Sequence, residues 1–308
     1  MSAAPRRPVL KLLPHCGVSG KVKAFGRKGA SEVKISRLAA LGIAALALAS
    51  AGTVIWQKAF RREPAGDGVP SSAAPAQGGP WTGALGREAV ERALARKLET
   101  APEYAPFIER LKTVFPSDYE AFLASLGQRS ADDGDIGSAD FVMAEAMRAL
   151  RLSRGALAAK AGKDALEHVF DLQLAMLQAL GAEDPNLCVN FLYGGGSTEL
   201  LAFSAANRGL VTAQALAAAD AISDGQVKKM EREPPTEEDF AFLEKVLRAK
   251  GLDKTEIEAL LDGRIQSPAA AAERMCRAGQ IYLETIAAMP EDSRLRIYSL
   301  AIELMARS

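Results

Sequence analysis

Histidine and cysteine are scarce in this chain, with two histidines and three cysteines among 308 residues. That scarcity argues against most zinc or haem sites, which gather several such ligands, so no cofactor is expected. Aromatic side chains make up only 6% of the sequence. A surface that stacks bases or sugars needs more, and nucleic acid is not an expected partner. Runs rich in Val, Ile and Thr with a period of two are also missing, so no sheet is expected. Net charge is missing too, because 38 Lys and Arg balance 38 Asp and Glu.

That balance hides an asymmetry. Residues 1–37 carry nine basic side chains against Glu32 alone, whereas residues 64–308 carry 26 basic against 36 acidic. The basic stretch is rich in Gly, Ser and Pro without a sustained apolar period, and reads as a disordered cytoplasmic tail. Between the two regions, residues 38–56 (LAALGIAALALASAGTVIW) form a 19-residue run without a charge, bounded by Arg37 and Lys58. As a helix it would span about 28 Å, close to the hydrocarbon thickness of a bilayer. Leu38 opens it, and Trp56 falls at the far end, where an indole favours the lipid–water boundary.

Residues 38–57 are therefore expected to be a transmembrane signal anchor. The competing reading is a cleaved signal peptide with Ala49-Ser50-Ala51 as the small-residue cleavage site. Against it stands a basic region of 37 residues ahead of the apolar run, an objection that would vanish if translation began near Val33. Arg6-Arg7 resembles a twin-arginine signal but lies too far upstream to serve one. More Lys and Arg precede the run than follow it, which places the N-terminus in the cytoplasm and the rest outside the inner membrane, in the periplasm. Residues 58–80, including EPAGDGVPSSAAPAQGGP, read as a linker.

From residue 81 to 308 the pattern is helical, and the expected fold class is all-α, a bundle-like domain of some 230 residues. Arg87 to Thr100 places Val90, Leu94 and Leu98 on one face. Pro106 suits the first turn of the next helix, and Ser117-Asp118-Tyr119-Glu120 matches a capping box. Ser138, Ser197 or Thr198, Thr236, Asp253 and Ser267 are further expected N-caps. Leu166, Val169, Phe170, Leu174, Leu177 and Leu180 make a strong amphipathic stripe that Gly181 and Pro185 are expected to close.

Three features carry possible chemistry. His168 lies four residues after Asp164 and three before Asp171, so one helix surface holds all three, but no nucleophile is placed beside them. Asp132, Asp133 and Asp135 crowd a Gly-containing turn that a hard cation favours. The cluster fails the EF-hand template, and carboxylates just ahead of a helix N-terminus explain it without a metal. Gly194-Gly195-Gly196-Ser197-Thr198 could wrap a phosphate but has neither the Lys nor the preceding strand of a P-loop.

No catalytic constellation emerges. The expected function is a membrane-anchored interaction or scaffold domain of the cell envelope, contacting another envelope protein or a second copy of itself. The alternative is an exported hydrolase acting on cell-wall polymer through Asp or Glu carboxylates. One covalent expectation joins placement to sequence. Cys188, among Leu187, Phe191 and Leu192, and Cys276, on one face with Ala272, Gly279, Leu283 and Ile286, are expected to form a disulfide, with Cys16 left as a thiol.

Overall fold

The computed structural model describes residues 86–193, 197–262 and 272–307. The expected tail, anchor (Leu38 to Trp56), linker, Cys16, the triple glycine and the Ser267 cap all lie outside those residues. Among the described residues the chain is all-helical, with no strand and no helix long and apolar enough to cross a membrane. Its α-helices are α1 (Arg87–Glu99), α2 (Ala105–Val114), α3 (Pro116–Asp133), α4 (Ala139–Arg154), α5 (Lys163–Glu183) and α6 (Pro185–Leu192). They continue as α7 (Thr198–Ala206), α8 (Arg208–Lys228), α9 (Glu237–Ala249), α10 (Lys254–Asp262), α11 (Ala272–Ala287) and α12 (Glu291–Arg307).

Local signals set most of the starts. The Ser138 hydroxyl accepts from the Phe141 amide at 3.1 Å, and Ser197 accepts from Leu200 at 3.2 Å. Thr236 and Asp239 close a reciprocal capping box on α9, and Asp253 and Glu256 exchange the same pair of bonds at α10. The box expected at Ser117 does not form. Helix α3 starts earlier, at Pro116, whose fixed φ suits the first turn. That start frees Asp118 to accept from Arg154 Nε at 2.5 Å and Glu120 to pair with Arg87 at 2.7 Å.

Two expected helix ends also move. Gly181 does not stop α5, which runs on to Glu183. Its lack of a side chain serves packing instead, since a Cβ there would lie 2.6 Å from Cys276 Sγ. Asp132 and Asp133 do not precede a helix; they occupy the last turn of α3, which Gly134 ends in the left-handed region at φ 77°.

The middle of the domain holds an element without an apolar period. Between α4 and α5 the chain makes a six-residue 3-10 segment, Gly155–Lys160, whose Gly155, Ala158 and Ala159 are buried. Backbone buried away from water needs partners, and distant residues supply them. Arg232 donates to Ala159 O at 3.1 Å and Ala161 O at 2.6 Å, and Ser299 Oγ donates to Ala159 O at 2.9 Å. The Met230 amide donates to Lys160 O at 2.9 Å, and the Gly162 amide to Asp224 Oδ2 at 2.6 Å. Helix α8 lies directly on this segment through Gly225, where an added Cβ would stand 1.9 Å from Leu157 O. From the other side α12 brings Ala306 against Gly155 and stacks Tyr298 on Phe170 with ring centroids 3.8 Å apart.

Cys188 on α6 and Cys276 on α11 form a disulfide, with Sγ atoms 2.04 Å and Cα atoms 5.6 Å apart. Both cysteines are buried, 0% and 3% exposed, among Leu187, Leu192, Leu283 and Ile286. The bond ties residues 88 positions apart, a loop whose closure contributes about 4–5 kcal/mol in the chain-entropy model before strain is subtracted. Replacing both cysteines by alanine should lower stability by about 2–4 kcal/mol. Differential scanning calorimetry should show the melting temperature falling by roughly 5–15 °C. An unchanged melting temperature would mean the bond does not form in the protein.

At the start of α9, Asp239 is 5% exposed and takes both arms of Arg296, at 2.8 and 2.9 Å. Burial pushes its carboxyl up, but Arg296, the Ser293 hydroxyl and the Thr236 amide outweigh that and hold it well below the usual carboxylate range. A depressed folded-state pKa contributes stability that is present above the unfolded value of about 3.9 and lost as pH falls through the folded value. Asp239→Asn should therefore cost about 1.5–3 kcal/mol at neutral pH. The gap from the parent should narrow in urea titrations as the pH drops below about 4. A gap that stays constant into acid would contradict the linkage.

Candidate functional site

The structure separates the residues that the sequence singled out. His168, Asp164 and Asp171 share the solvent face of α5, and all three are exposed. None of the three lines either of the two cavities described below. The acidic group is divided among different partners: Asp132 accepts from Gln128 at 3.1 Å, Asp133 pairs with Arg129 at 3.4 Å and Asp135 pairs with Lys97 at 3.0 Å. No three His, Cys, Asp or Glu side chains converge as a metal site among the described residues. Lys97 pulls the Asp135 carboxyl below its ordinary range, in keeping with a structural ion pair.

The other carboxylates near a depression or half-buried meet the same fate. A shallow depression of about 410 Å³ between the α9–α10 turn and α11 is lined by Glu256 and Glu273 together with Lys250, Arg274 and Arg277. Glu256 is committed there, accepting from the Asp253 amide at 2.8 Å and pairing with Arg274 at 2.8 Å. It holds the start of α10 and is not free to move a proton. Asp140 is likewise committed, taking the Tyr104 hydroxyl at 2.7 Å and Arg208 at 2.9 Å. Burial pushes Asp140 up, yet Arg208 and Tyr104 draw it below its usual value, so it stays ionised as an anchor for α8.

A half-open, almost wholly apolar site lies elsewhere, beside the 3-10 segment. There a cavity of about 70 Å³ is walled by Phe107 of α2, Met147, Leu150 and Arg151 of α4, and Val169 of α5. Ala215, Ala218 and Ile222 of α8 and Ile302, Met305 and Ala306 of α12 complete it, with Gly155 and Ala158 as its floor. Its origin lies in the packing just described. Gly225 seats the end of α8 on the 3-10 segment, and one and two turns back from Ile222 the helix offers only Ala218 and Ala215 to fill the space.

Arg151 is the one ionisable side chain on that lining. Its Nη1 donates to Met305 O at 2.9 Å in the last turn of α12, a good place for a cation because the helix dipole is negative there. Its Nε–H is buried without an acceptor. Burial and the nearby Arg148 both lower the Arg151 guanidinium from its ordinary value. Sequence reasoning missed this site because six elements spread along the chain build it. The available signal was the run of small residues at Ala215, Ala218 and Gly225 on an otherwise buried helix.

Known proteins offer no guide to the chemistry: no family model, no curated protein and no solved structure matches the chain.

Proposed function

We propose that the helical domain is the extracytoplasmic binding module of a membrane-anchored envelope protein. Residues 38–57 would form the single span, the basic N-terminal residues would stay in the cytoplasm, and the linker would carry the domain on the periplasmic side. The observation that carries the placement is the Cys188–Cys276 pair. Such bonds persist in oxidising compartments and are rare where thiols are kept reduced. The uncharged 19-residue run and the excess of Lys and Arg before it support the same orientation.

Binding, as against catalysis, is supported by the character of the cavity. Its walls are Ala, Val, Leu, Ile, Met and Phe with a single cation, a composition that holds apolar groups and offers no base or nucleophile. Large apolar side chains on the outside add a surface for a protein partner or a second copy. Val227, in the last turn of α8, is 79% exposed, and Met230, two residues beyond that helix, is 47% exposed.

A reporter enzyme that works only outside the cytoplasm, fused after Ser308, should be active in intact cells. In the same cells a membrane-impermeant thiol reagent should leave Cys16 unlabelled until the membrane is broken. Reporter activity confined to a cytoplasm-dependent fusion would overturn the placement.

A further inference from the structure

We draw no further inference here: the strongest candidate, the half-open apolar cavity walled by α2, α4, α5, α8 and α12 beside the 3-10 segment, belongs to the site already described, and nothing in the structure shows what fills it.

Discussion

A short, largely buried 3-10 segment sits in the middle of this domain, and distant elements are arranged to satisfy it. Gly155, Ala158, Ala159, Ala161 and Gly162 are buried there, so the carbonyl and amide groups of this stretch need partners. Each buried group left unpaired would cost about 1–3 kcal/mol. The partners come from residues 224 to 232 and from Ser299, more than sixty positions away in sequence. Satisfying this segment thus fixes where α8 and α12 lie, and their positions in turn close the core around α5. The same constraint makes Gly225 indispensable, because helix and turn touch through backbone atoms with no room for a methyl group.

The cavity is a by-product of that close approach. Helix α8 is held at a backbone-contact distance at one end, and Ala215 and Ala218 are too small to occupy the space above. Meanwhile α12 brings its last turn, with Met305 O, to the guanidinium of Arg151. The disulfide acts at a distance from this hub. It clamps α6 to α11 against α5, where Gly181 leaves room for the sulfur atoms.

What was legible in the sequence was local. Ser138, Thr236 and Asp253 announce helix starts because a cap and its target amide are three residues apart, and the structure uses each of them. The cysteine pairing was legible because both residues sit on apolar faces of short helical patterns. Signals failed where a residue's role depends on a distant element. Gly181 resembles a stop and is a packing gap for Cys276. Asp118 resembles the middle of a cap and is the buried partner of Arg154. The 3-10 segment GALAAK has no period to read, since its conformation is set by Arg232, Asp224 and Ser299 and not by its own side chains. Arg151 looks like any basic residue in a helix's last turn until α12 and α8 are in place.

Two glycines in the same helix test the central contact. Gly225 meets Leu157 O across the interface, whereas Gly209, in the first turn of α8, has nothing within 4 Å of the position its Cβ would take. Chemical denaturation of Gly209→Ala should leave stability unchanged or raise it by about 0.5–1 kcal/mol, as helix propensity and unfolded-chain entropy dictate. Gly225→Ala should cost at least about 3 kcal/mol, or prevent folding, because the methyl group forces α8 off the 3-10 segment and strands its carbonyls. Equal stability of the two variants would show that α8 does not rest on residues 155–160 and would remove the basis for this arrangement of the core.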